Sequence, residues 1–105
     1  MPGWRTDRIQ VSSIMNPVLV ENNPSPMKLE ILGVEDWPII HHEIGRLAHT
    51  AAQTETSFII SGEAEVVVDG RDPVTVGESD LVTILPGTSC RWHITKAITR
   101  HHSLG

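Results

Sequence analysis

His49 and Glu55 stand six residues apart, and Cys90 follows in a second apolar stretch that also holds Trp92. Imidazole, carboxylate and thiolate are ligands for Zn, Mn, Fe or Ni, and the first two also exchange protons near neutral pH. A hairpin between residues 49 and 55 would set both side chains on one wall. Cys90, Trp92 and Ile94 alternate onto one face of their strand, away from Arg91 and His93, so Cys90 is placed to face the pair across a barrel. A metal centre takes about three protein ligands plus water, or about four ligands if structural, so two residues do not complete one. Each residue also has a plain structural reading: His49–Glu55 as a polar contact, Cys90 as a small buried hydrophobe, Trp92 as core or pocket wall.

The other histidines add less than their number suggests. Of the six in the chain, His41-His42 and His101-His102 are adjacent on predicted strands. Neighbouring strand side chains point to opposite faces, so each pair gives at most one group to a given pocket. Pro38, Ile40, His42 and Ile44 form a more apolar face than Ile39, His41 and Glu43, which makes it the expected inner face and His42 a pocket residue. Gly33, Gly45 and Gly62 are isolated and form no phosphate-cradling loop, and no Gly-x-Ser-x-Gly elbow occurs.

Strands must position these groups. From Trp37 the pattern predicts strands at Pro38–Arg46, Leu47–Ala51, Thr56–Ser61, Glu63–Val68, Pro73–Val76, Asp80–Leu85, Ser89–Thr95 and Ile98–Leu104. Ser61-Gly62 reads as a strand-end turn, and Asp69-Gly70 between valine-rich runs as a type I′ hairpin. Ahead of Trp37, Pro2, Pro17, Pro24 and Pro26 break the chain into short edge strands (Arg8–Ser12, Pro17–Glu21) and one helical turn within Met27–Leu32. The expected architecture is all-β and antiparallel with almost no helix: residues 1–36 form an N-terminal strand arm on a barrel core of residues 37–105, one domain overall.

Composition narrows the function classes. At 105 residues, one core burying about 60 to 65% of the unfolded surface is sustainable. Hydrophobic residues make up 39% and charged residues 20%, with a net charge of −5 and no basic cluster, which argues against nucleic acid or an anionic membrane surface as partner. No long apolar run or secretory segment is present at the amino terminus, and the single cysteine cannot close an internal disulfide; a cytoplasmic location is the expectation.

The runs from Glu55 to Gly70 and from Ser79 to Gly87, followed by Cys90-Arg91-Trp92, resemble the cupin superfamily (RmlC-like jelly rolls). The likeness is closest to small cupins grouped with the (S)-ureidoglycine aminohydrolase cupin domain and the ethanolamine-utilisation cupin. Trp37-Pro38 and the ending Arg100-His101-His102-Ser103-Leu104 match these members too, so the resemblance spans about residues 30 to 104. His49, Glu55 and Gly62 fall in register with the first cupin motif, whose second histidine position holds Ala51. In the second motif, Ser79, Leu85-Pro86-Gly87 and Cys90 stand where the family has glycine, the Pro-x-Gly turn and histidine. The resemblance thus implies a jelly-roll barrel with an eroded metal site, His49, Glu55 and Cys90, in which a thiolate would favour Zn over Mn or Fe.

Two functions remain open. In one, the barrel binds or converts a small polar metabolite, ureidoglycine-like by resemblance, with Glu55 and His49 as acid and base and His42, Cys90 and Trp92 lining the pocket. In the other, it is a non-catalytic binding, sensing or dimerisation module. Small cupins of this kind pair through their sheets, so a homodimer is expected in either case.

Overall fold

The computed structural model describes residues 16–105. Seven strands arise where β-branched residues alternate with polar ones: β1 (Val18–Asn22), β2 (Ile39–His42), β3 (Gly45–Thr50), β4 (Glu55–Val68), β5 (Val74–Gly77), β6 (Asp80–Ile84) and β7 (Ser89–Leu104). One helix, α1 (Pro26–Leu32), and a 3-10 turn (Val34–Asp36) join β1 to β2. All strand pairs are antiparallel, in the order β1-β6-β4-β7-β2, with β3 also on β7 and β5 also on β4. This is the expected all-β architecture.

The two long strands organise the rest. The first part of β4 (Glu55–Phe58) pairs with β6 and its later part (Glu63–Val66) with β5, while β7 runs along its other side. Strand β7 in turn takes β3 against residues 89–94 and β2 against residues 98–101. Their inward residues, Ile59, Ala64 and Val66 from β4 and Trp92, Ile94 and Ile98 from β7, meet Val76, Val82 and Ile84 in one core. Burying apolar surface at about 25 cal/mol per Å² is what holds the sheet curled on itself.

Several boundaries differ from those expected of the sequence. Thr56–Ser61 and Glu63–Val68 belong to one strand, and so do Ser89–Thr95 and Ile98–Leu104. Ser61-Gly62 is therefore not a strand end: the chain passes through it with the β4–β7 register shifting at Ile59/Ser61, Ser61/Glu63 and Glu63/Ala64. Such bulges bend a strand without ending it. Gly62 is needed there because its φ is +102° and a Cβ would lie 2.2 Å from the Ala97 carbonyl oxygen.

Pro38–Arg46 is divided between β2 and β3, because each pairs with a different half of β7. The Asp69-Gly70 turn is not type I′. Only Gly70 has positive φ, +78°, and Arg71 N–H donates to the Val68 carbonyl at 2.9 Å, the type II pattern. The connection extends through Asp72-Pro73, since proline has no N–H to continue a ladder.

Helix α1 is longer than the single turn expected, seven residues, because Ser25 caps it by accepting from Lys28 N–H at 3.2 Å and Pro26 suits a first helical position. Of the two arm strands, Pro17–Glu21 corresponds to β1, which pairs with β6. Arg8–Ser12 lies outside the described residues.

Candidate functional site

Glu55 opens β4 with its carboxylate turned inward, 6% exposed, and His49 sits near the end of β3. The intervening loop is pinned by Ala51 N–H donating to the Thr88 carbonyl at 2.8 Å and Gly87 N–H donating to the Ala51 carbonyl at 2.7 Å. His49 Nε2 is thereby brought 2.8 and 2.7 Å from the two Glu55 oxygens. The imidazole is half exposed and the carboxylate is buried, so the pair lies at the mouth of the barrel with Glu55 on its inner side.

Inward from Glu55, alternation brings up Ser57 on β4 and Arg100 and His102 on β7, with Ser57 and His102 as cross-strand partners. The Arg100 guanidinium donates from Nη1 to Ser57 Oγ at 2.8 Å, and Ser57 Oγ lies 2.8 Å from His102 Nδ1. Ser57 Oγ thus joins Arg100 to His102, whose other ring nitrogen, Nε2, faces Glu55 Oε1 at 3.7 Å. That last separation is electrostatic contact, too long for a hydrogen bond. The second Arg100 amino group, Nη2, lies 3.1 Å from His42 Nε2, which must accept and is therefore the unprotonated nitrogen. The guanidinium also lies 5.0 Å from the centre of the Trp92 ring, a cation–π distance.

Burial, then the charge of Arg100, holds His42 and His102 below the ordinary imidazole range, so both rings are neutral at pH 7. Burial also lowers Arg100, and Glu55 offsets part of this. Cys90, the cross-strand partner of His49, is 3% exposed, and burial pushes its thiol up against a smaller opposing effect of a hydrogen bond with Trp92.

The residues singled out in the sequence thus fall into two groups. His49 and Glu55 are in direct contact, His42 reaches the same cluster through Arg100, and Trp92 lies beside it. His41 points outward, where its ring contacts Thr99 and Glu43. Ser57, Arg100 and His102 were not among the site residues expected from the sequence, although His102 belongs to one of its adjacent histidine pairs. The available signal was period two: Ser57 shares a face with Glu55 and Ile59, and Arg100 one with Ile98 and His102.

The donor set does not fit a divalent ion. The Ala51 side chain, 0% exposed, fills core where a second histidine ligand would stand. Burial pushes the Cys90 thiol up, which works against a thiolate ligand, and His49 and Glu55 are turned on each other. Among the described residues no three of His, Cys, Asp and Glu are grouped so as to hold a metal.

Among the described residues, two of the hollows lie on the outside of the barrel. One, of about 410 Å³, lies over Ala48, Glu65, Arg91 and His93; the other, about 710 Å³, lies between α1 and the outer side chains of Phe58, Ile60 and His101. Neither is lined by His49, Glu55, Ser57 or Arg100, so the polar cluster is identified by its buried charges and hydrogen bonds rather than by surface shape. Among the described residues no helix is long and apolar enough to cross a membrane.

Comparison with known proteins places the chain. A DUF861 family protein from Thermotoga maritima is 33% identical, covering 84% of this chain and 99% of its own, and superposes with a TM-score of 0.80. The Clostridium difficile EutQ protein (17% identity, 81% of this chain and 59% of that one, TM-score 0.57) shares the fold. So does a putative ethanolamine utilization protein Q from Salmonella typhimurium (16%, 61% and 51%, TM-score 0.55). No curated protein matches the chain. The profile of the EutQ-like cupin domain matches residues 29–102, and the chain belongs to that cupin family.

Proposed function

We propose that this cupin binds a small polar metabolite at the barrel mouth, between His49 and Arg100, with Glu55 as the group that takes or gives a proton. The observation that carries the reading is the buried Glu55 carboxylate, held by half-exposed His49 on one side and facing His102 on the other. A carboxylate in such a place is held by one directed partner yet lies one side chain from solvent, which suits proton exchange with a bound molecule. Binding without conversion is the second reading. It is favoured by Ala51, whose methyl leaves a cupin metal site incomplete, so the reading invokes no step through a metal. The resemblance to ureidoglycine aminohydrolase cupins makes ureides one group of compounds to test.

A thermal-shift screen of small polar metabolites, with and without Mn, Zn, Ni and Fe, tests both readings. The proposal expects metabolite-dependent stabilisation that is lost in His49→Ala and Glu55→Gln and is independent of the ions. A stoichiometric metal in protein purified without chelator, lost in Glu55→Ala, would refute the metal-free part. We also propose a homodimer, supported by β1 and β2 at the ends of the strand order with Leu19 and Ile39 exposed, and a cytoplasmic location, supported by one buried free cysteine. Light scattering on the purified protein checks the first.

A further inference from the structure

Arg100 is the most heavily buried cation of the cluster, 8% exposed, on the inward face of β7 between Ile98 and His102. A guanidinium has five N–H donors and cannot be neutralised at physiological pH. Its two hydrogen-bond partners, Ser57 Oγ and His42 Nε2, are both uncharged. Among the described residues no carboxylate oxygen comes within ion-pair distance of it, and its Nε is buried with no acceptor. A buried charge without a contacting counter-ion is costly, whereas a bound oxyanion would supply charge and acceptors together.

We propose that Arg100 is the anchor for a small monoanionic carboxylate in the barrel, with Ser57 and His42 as its neutral hydrogen-bonding rim and Trp92 as its floor. The inference rests on the metabolite-binding reading above and names the charged end of the ligand. A carboxylate takes Nη donors from Ser57 or His42, both of which remain hydrogen-bonding groups once released. It matches the planar fork of the guanidinium with two parallel hydrogen bonds. A phosphate dianion is disfavoured, because one cation faces it and the Glu55 charge acts on the same region. Anchored at Arg100, the ligand's other end points toward Glu55, His102 and His49, where proton exchange is available.

The test compares glycolate, glyoxylate and lactate with their neutral counterpart glycolamide and with inorganic phosphate, by calorimetric titration of the full chain in low-chloride buffer. At least one of the carboxylates is expected to bind about tenfold or more tighter than glycolamide and phosphate, as befits a charge-assisted bidentate contact. Arg100→Gln should abolish that preference, and Arg100→Lys should retain part of it. Should Arg100→Gln fail to fold, Arg100→Lys serves instead: a lysine keeps the charge but cannot make the two parallel hydrogen bonds, so carboxylate binding weaker than in the native protein is expected, and unchanged binding overturns the anchor. Equal binding of glycolate and glycolamide, unchanged carboxylate binding in Arg100→Gln, or no binding of any carboxylate overturns the anchor. If neutral metabolites bind with dependence on Glu55 but not Arg100, the anchor fails while the metabolite-binding reading stands; if nothing binds, both fail.

Discussion

Replacing Gly62 by alanine should be among the most damaging single-methyl additions to this protein. Two costs add. At φ +102° an L-residue is held in sparsely populated backbone space, at about 1–3 kcal/mol. The new Cβ would also lie 2.2 Å from the Ala97 carbonyl oxygen, 2.7 Å from Ile98 Cα and 2.8 Å from the Ala97 carbonyl carbon. All three are backbone atoms of β7, so no rotamer change relieves the overlap, and overpacking of this kind costs about 1–3 kcal/mol more. The sum, about 2–6 kcal/mol, is a large part of the roughly 5–15 kcal/mol that keeps a domain folded.

Gly87→Ala is the control, because φ there is +81° but nothing lies within 4 Å of the added carbon, which leaves only the backbone cost of about 1–2 kcal/mol. Urea unfolding followed by tryptophan fluorescence reads both, since Trp92 is 2% exposed and moves into water on unfolding. The expected difference between the variants is about 1–4 kcal/mol. If Gly62→Ala is no less stable than Gly87→Ala at equal m-values, β7 does not hold its close approach to β4, and the reasoning is wrong.

Three further outcomes are expected. Asp80→Ala should lose about 3 kcal/mol in the same urea assay, because its buried carboxylate accepts from Asn22 Nδ2 and Gly77 N–H, both at 2.8 Å, and ties β1 to the turn before β6. His42 and His102 are held below their unfolded value of about 6.5, so between the folded and unfolded values the unfolded chain binds more protons and stability rises with pH. Their contribution is full above about pH 6.5 and is lost as pH falls through the depressed values; the fall in Tm on acidification should be shallower in His42→Gln and His102→Gln. Cys90, buried and held as a thiol, should react with a thiol-specific disulfide reagent at pH 8 far more slowly in native protein than in urea. Equal rates would mean the thiol is accessible.

Much of the fold was legible because it is written in period two. Cys90, Trp92 and Ile94 are buried while Arg91 and His93 are exposed, as their alternation requires. What escaped was continuity. Ser61-Gly62 looks like punctuation, and only the partner strand reveals that the glycine gives way to Ala97 without ending β4. The place of the Asp69-Gly70 turn is legible in the dipeptide but its type is not, since the proline that lengthens the connection lies outside it. In the site, His49 and Glu55 are close in sequence and linked by one loop. Arg100, Ser57 and His102 meet only through a pairing across 43 to 45 residues, which no local pattern encodes.

The sharing of β7 by three other strands has a kinetic consequence. Among the described residues β2 and β3 pair only with β7, and each bond between β2 and β7 closes a loop of more than fifty residues. Folding is therefore expected to be dominated by non-local closure and to be slow for a chain of this size. The hairpin-like unit of β4, β5 and β6 can form first, leaving one flank of β4 unpaired until residues 89–104 arrive. During that interval Ile59, Val66 and the bare edge of β4 are available to other chains. Charged residues beside them, Glu63 and Glu65 on the outer face, are then the groups that oppose wrong pairing.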